Sequence, residues 1–318
     1  MALSFSSCKD YECKEQYFAQ LTKTRGTDAA FSDLKERYKN DSFVRAYCHQ
    51  YSHAIGRAAA ENSISVADAF AIGDSFCWSG YYHGVMETYL AKEKKEDIPS
   101  KINSFCSEVP GKSNYSFDYY NCVHGLGHGV MFISGNELFD ALELCNSLNG
   151  LWEQQSCWSG IFMENVMTDN KDHFTKYLIP DQPLYPCSAV KKKYKSICFL
   201  MQTSYMLKIA NYNYSRVFEY CGAAGGPYID YCYQSLGRDA SGNSVSDVER
   251  TRTTCMLGKN YRQQSNCVIG AVKDFISYHH SDIQAKRLCA SLPMELQEVC
   301  STTAEEYYKT FWTQPARP

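Results

Sequence analysis

Five of the eight histidines in this 318-residue chain fall in three short segments whose spacing suits metal chemistry. The densest is Cys122-Val-His-Gly-Leu-Gly-His-Gly-Val130, in which His124 and His128 stand four residues apart. On a helix that spacing puts both imidazoles on one face, about one turn apart. The segment Cys48-His-Gln-Tyr-Ser-His-Ala-Ile55 repeats it with His49 and His53. A third, Cys77-Trp-Ser-Gly-Tyr-Tyr-His-Gly-Val-Met-Glu87, supplies His83 and Glu87, again four apart. Aligned on the histidine and the small residue after it, the segments superpose His53, His83 and His128. In a fourth, Cys157-Trp-Ser-Gly-Ile-Phe-Met-Glu164, Met163 takes that place and Glu164 follows it.

Neutral imidazoles at i and i+4, joined by a carboxylate from a neighbouring helix, are donors suited to zinc, copper or iron. A single buried histidine is best explained by hydrogen bonds to backbone or to a tyrosine hydroxyl. Five in phase are not, because leucine or methionine would fill the same frame without needing a partner, as Met163 illustrates. The expected ligands are therefore His49, His53, His83, His124, His128 and Glu87. They could hold one ion or two, with two sharing the set at about 3.5–4 Å separation. Glu87, if it is not a ligand, is the candidate general base, and Tyr82 is a candidate catalytic donor beside the site. Other tyrosines near the histidines (Tyr47, Tyr51, Tyr81, Tyr89), together with Trp78, Trp158 and Met86, are expected to pack the core. His173, His279 and His280 fall outside the frame and are expected at the surface. In later repeats Arg238-Asp239 and Lys273-Asp274 occupy it, so the C-terminal half is expected to serve as scaffold.

The elements that must hold these residues are legible in the cysteines. Sixteen cysteines without one Cys-x-x-Cys pair argue for disulfides in an oxidising compartment rather than for zinc knuckles or iron–sulfur ligands. Six pairs follow one another along the chain: Cys106/Cys122, Cys145/Cys157, Cys187/Cys198, Cys221/Cys232, Cys255/Cys267 and Cys289/Cys300. All but the first are separated by 11 or 12 positions. From Cys77 the second members recur at steps of 45, 35, 41, 34, 35 and 33. A period near 35 with one cysteine pair per unit predicts a repeat array. In each unit one helix ends near its cysteine and the next opens at the second cysteine, so that the two face each other across a polar turn. A glycine three residues after the second cysteine (Gly80, Gly125, Gly160, Gly270) would let helices approach closely. Met201 and Ser235 replace it in the other units. For Cys8, Cys13, Cys48 and Cys77 three connectivities remain open.

In this architecture, over roughly residues 45–305, the chain resembles cysteine-rich helical repeat proteins of tetratricopeptide type, which staple each helix pair with one disulfide. The resemblance implies an all-α solenoid of helical hairpins, and a closed toroid of such hairpins fits the spacing as well. It implies no site residue. The ligand set itself is similar to the inventory of hemerythrin-like and other dinuclear non-haem sites.

The resulting organisation is a lead-in over 1–45, one helical-repeat domain over 46–305 with its histidine-rich half at 46–170, and a tail over 306–318. The lead-in holds a helical segment around 14–24, and residues 28–60 read as helical. A net charge of −3 gives no electrostatic case for nucleic acid. No apolar run approaches the 18 or so residues of a membrane span. Three glycosylation sequons, at Asn40, Asn114 and Asn213, agree with a secreted chain whose leader has been removed. No nucleophile-elbow, P-loop or dinucleotide motif is present. The expected function is an extracytoplasmic metalloenzyme acting on a small molecule or peptide, with copper, iron or zinc and with redox chemistry ahead of hydrolysis. The alternative is a non-enzymatic repeat module that binds a peptide or protein, its histidines structural.

Overall fold

The computed structural model describes residues 4–167, 175–244 and 247–312. His173 and residues 313–318 of the tail lie outside them. The described residues form α-helices and short 3₁₀ turns, with no strand among them. The chain divides into two compact units, residues 1–161 and 162–318.

The first unit opens with α1 (Tyr11–Arg25), α2 (Thr27–Asn40) and α3 (Ser42–Ala46). The carboxylates of Asp10 and Asp41 cap α1 and α3 by accepting from Cys13 N and from Phe43 and Val44 N. The continuous helix expected over 28–60 is thus broken at Asp41, which caps α3, and again at Tyr47. There follow α4 (Cys48–Asn62), α5 (Val66–Ala71), α6 (Gly80–Leu90), α7 (Ile98–Lys101), α8 (Phe117–Ile133), α9 (Leu138–Cys145) and α10 (Leu151–Val166), whose residues to Ile161 belong to this unit. Helices α4, α6 and α8 pack in sequence around a core that includes Tyr51, Ile55, Tyr81, Val85, Met86, Leu126 and Val130.

The second unit holds α11 (Lys192–Met201), α12 (Thr203–Ile209), α13 (Tyr214–Gly222), α14 (Tyr228–Ser244), α15 (Val248–Cys255), α16 (Tyr261–His279), α17 (Ile283–Ser291) and α18 (Met294–Trp312). Here α14 packs on α16, and α16 on α18.

All sixteen cysteines are joined in eight disulfides, which suggest an oxidising, extracytoplasmic environment. The six downstream pairs are those the spacing predicts, and the remaining two are Cys8–Cys13 and Cys48–Cys77. No described helix is long and apolar enough to cross a membrane. All three sequon asparagines are exposed.

Two details differ from the expected hairpin. Four disulfides, at Cys145, Cys221, Cys255 and Cys289, do tie the end of one helix to the next helix, but the second cysteine lies inside that helix rather than at its start. The reason is the cap. The Asn260 side chain accepts from Gln263 N and starts α16 well before Cys267, as the Ser116 hydroxyl, accepting from Tyr119 N, starts α8 before Cys122. Conversely, Cys77 precedes its helix. Cys77, Trp78 and Ser79 are all left-handed, with φ of 58°, 55° and 59°, so α6 begins only at Gly80. For side chains of this size such a conformation costs roughly 1–2 kcal/mol per residue.

The glycines set the helix spacing. A Cβ on Gly84 would lie 2.1 Å from the carbonyl oxygen of His53, and one on Gly56 2.0 Å from that of Tyr81, so α4 and α6 touch backbone to backbone. Helices α8 and α10 lock reciprocally: a Cβ on Gly127 would lie 2.1 Å from Cys157 O, and one on Gly160 1.9 Å from His124 O. The same clamp recurs in the second unit between α14 and α16, where a Cβ on Gly237 would lie 1.8 Å from Cys267 O and one on Gly270 1.8 Å from Gln234 O.

Candidate metal centre

The close approach of α4, α6 and α8 brings five imidazoles together in the first unit. His49 and His53 come from α4, His83 from α6, and His124 and His128 from α8. All five are buried, with exposures of 6% or less. Their ring nitrogens form two groups that could hold a metal ion, His49–His53–His83 and His83–His124–His128, with the ligand atoms of each within 4.8 Å of one another. The two groups divide the three histidines that the frame superposes: His53 stands in one and His128 in the other, their ring centroids 6.3 Å apart, and His83 stands in both.

The outward-facing nitrogens are fixed by partners that dictate protonation. His49 Nδ1 lies 2.9 Å from the carbonyl oxygen of Cys77, which can only accept, so the proton of His49 sits on Nδ1. The left-handed turn at Cys77–Ser79 is what precedes α6 at this point. His53 Nδ1 lies 2.7 Å from Glu87 Oε1, while Glu87 Oε2 accepts from Arg57 Nη1 at 2.9 Å. Arg57 in turn donates through Nη2 to Glu15 Oε1 on α1 at 2.6 Å. A carboxylate held by a guanidinium is ionised, so His53 also donates from Nδ1. His124 Nδ1 lies 2.7 Å from Ser159 Oγ, and that hydroxyl donates its own hydrogen to Ser156 O at 2.7 Å, so His124 is the donor. The Tyr120 hydroxyl stands 3.3 Å from the same nitrogen.

The consequence falls on the other nitrogens. His49 Nε2 and His53 Nε2 face each other at 3.1 Å, so a proton on one of them, or a cation between them, must join the pair. Two nitrogens that each sit at the usual 2.0–2.1 Å from a tetrahedral ion are about 3.3 Å apart, so the facing pair already has the span of a coordinated one. His124 Nε2 and His128 Nε2 face each other at 3.2 Å in the same manner. His83 has neither ring nitrogen hydrogen-bonded, although both are fully buried. Burial, and then the neighbouring imidazoles led by His128, hold its pKa well below the ordinary value, so it is a neutral donor.

Of the residues expected at the site, the five histidines are brought together. Glu87 stands behind His53, at Nδ1, and orients that ring rather than joining either group of facing nitrogens. The Tyr82 ring is directed into an aromatic cluster, 4.8 Å from Phe70 and 5.3 Å from Tyr81. Tyr120 is a tyrosine that reaches one of these histidines, His124. Arg57, Tyr120 and Ser159 were not anticipated, although each carries a signal. Arg57 is four residues after His53 and Tyr120 four before His124, and Ser159 follows Cys157 by two positions as His124 follows Cys122.

In the second unit the frame positions hold a hydrogen-bonded polar network. Asp239 accepts from Thr203, Ser204 and Arg238, and Arg238 also donates to Leu200 O. Asp274 meets Ser241 Oγ at 2.5 Å, and burial pushes its carboxyl up to about 6. His279, the last residue of α16, is partly buried, and His280, which follows it, is exposed.

The chain was compared with known protein families, with characterised proteins and with solved structures, and it matches none of them.

Proposed function

We propose that the first unit is the metal-binding half of an extracytoplasmic metalloenzyme, with His49, His53, His83, His124 and His128 as its ligands. The observation that carries this reading is the facing of His49 Nε2 and His53 Nε2 at 3.1 Å while both Nδ1 atoms are committed to acceptors. A proton can join those two nitrogens, but a metal ion can also engage His83, whose buried ring nitrogens make no hydrogen bond. The donor set is all-imidazole and suits copper, zinc or iron.

Such a centre, when loaded with copper or iron, supplies one-electron chemistry. Oxidoreductase function is favoured over hydrolysis because Glu87 stands at His53 Nδ1, across the ring from the facing Nε2 atoms, and so is not set against a water held there. Glu87 and Arg57 instead fix the His53 ring and raise its basicity as a ligand.

Elemental analysis of protein produced in an oxidising host tests the reading. At least one transition-metal ion per chain is expected, lost in His53→Ala and retained in His279→Ala. Folded protein that takes up no metal, even on reconstitution, points instead to a helical-repeat module that binds a peptide or protein. A coloured protein supports redox chemistry, and a colourless zinc protein supports hydrolysis.

A further inference from the structure

An ion among the five imidazoles lies out of reach of any sizeable substrate. The five rings are 1–6% exposed, which leaves no face on which a molecule of more than a few atoms could rest. Electrons exchanged with a larger molecule must therefore cross protein.

On the side of His124 the protein to be crossed is aromatic. Tyr120, one turn earlier on α8, has its ring 5.4 Å from that of His124 at 29°, and its hydroxyl lies 3.3 Å from Nδ1. Trp152, in the first turn of α10, meets Tyr120 edge to face at 6.1 Å and 72°. Tyr115, just ahead of α8, stacks on Trp152 at 4.4 Å and 25°. Each step is a contact between neighbouring rings. Exposure rises along the file, from buried His124 through part-buried Tyr120 and Trp152 to Tyr115, which is 41% exposed.

Packing accounts for Tyr119, a buried ring that also stacks on Trp152, at 5.8 Å and 11°. It does not account for Tyr115. That ring is left in water on a left-handed backbone, with φ of 51°, where a bulky side chain is disfavoured and glycine or asparagine would serve the turn better. Strain of this kind is retained where a side chain is needed in one place.

We propose that Tyr115, Trp152 and Tyr120 carry electrons between the surface and the imidazole-held ion, and that the Tyr115–Trp152 face takes a flat phenolic reductant of hydroquinone type. The inference rests on the metal and redox reading above and deepens it by naming the donor class and where its electron enters. A planar, electron-rich ring suits a face made of two aromatic side chains. In the step, the hydroquinone loses one electron and releases a phenolic proton to water, leaving as a neutral radical. The electron passes through the three side chains and His124 to oxidised copper, Cu(II) becoming Cu(I). No protein bond breaks and no ring keeps a charge.

The test loads the full chain with copper(II) without oxygen, mixes it with methylhydroquinone and follows the loss of copper(II) absorption by stopped flow. The parent should be reduced at a rate that saturates with hydroquinone. Tyr115→Leu, at an exposed position that should spare the fold, should need more hydroquinone to reach half of its maximal rate. Trp152→Leu should lose most of the saturated rate, and Trp152→Phe, which keeps a ring between Tyr115 and Tyr120, should recover part of it. Copper content and melting temperature are read on every variant, because a merely structural tryptophan would move those and not the rate at full loading. Bound copper that hydroquinone does not reduce, Tyr115→Leu that responds to hydroquinone as the parent does, or a parental rate in Trp152→Leu overturns the proposal and leaves the metal reading standing. Folded protein that binds zinc but no copper also overturns the proposal alone, and folded protein that binds no transition metal overturns the metal reading itself.

Discussion

Proton counting locates one further unusual group, Asp274. Ser241 has a single hydroxyl hydrogen and lies 2.9 Å from Arg238 O as well as 2.5 Å from Asp274. If it donates to the carbonyl, Asp274 must supply the proton of the shorter contact and be neutral. That agrees with a carboxyl pushed up to about 6 by burial. A raised carboxyl pKa means that the folded state holds the proton more tightly than the unfolded chain does. Stability from this group is therefore present at low pH and is lost as pH rises from about 4 through about 6. Asp274→Asn should be close to neutral at pH 4 and should gain on the parent toward pH 7. The gain is about 2–3 kcal/mol if the whole shift is expressed. Urea denaturation of both proteins across that range checks it, and a difference independent of pH would show that Asp274 is ionised throughout. At the same scale, Arg57→Met should destabilise by about 1–3 kcal/mol, read from the same curves, because Glu87 is left buried beside His53 without its cation.

At the scale of elements, the glycine contacts carry the sharpest expectation. Gly84→Ala places a methyl group against the His53 carbonyl, where only backbone movement can make room. A loss of about 1–3 kcal/mol or more in thermal denaturation is expected. Gly222→Ala is the control, since its Cβ would meet nothing nearer than the Tyr233 hydroxyl at 3.5 Å. The Cys-x-x-Gly spacing announced the contacts at Gly80 and Gly160. It did not announce the one at Gly84, because that glycine follows a histidine in the ligand frame and reads as part of the chemistry. Helix α6 was misplaced for a related reason: nothing in Cys-Trp-Ser favours positive φ, and the turn is imposed by what surrounds it. The histidines were legible because ligand types are scarce and their phase survives folding. The roles of Glu87 and Tyr82 were not, since sequence places a residue on a face without saying which neighbour takes its polar atom.

For the whole molecule, the covalent framework was the most legible feature, because six of eight disulfides join cysteines close in sequence across a turn. The Cys48–Cys77 link could not be deduced, as its 29-residue separation follows no repeat spacing. Peptide mapping without reduction should recover all eight links and no alkylatable thiol. Each loop of 11–12 residues is expected to contribute about 3 kcal/mol by the chain-entropy account, so full reduction should unfold both units. Partial reduction that leaves helicity and melting unchanged would contradict it.

The reciprocal clamp between neighbouring helices separates two duties carried by one residue. In α8 the carbonyl against the partner glycine belongs to His124, and in α14 the same place is held by Gln234. The main chain does the packing at both positions, which leaves the side chain free to be replaced. A lineage built on this scaffold can therefore exchange ligands without redesigning its core, and the two units stand as two outcomes of that freedom. His124→Gln should accordingly melt with the metal-free parent, while Gln234→His offers the simplest start for building a new coordination site in the second unit.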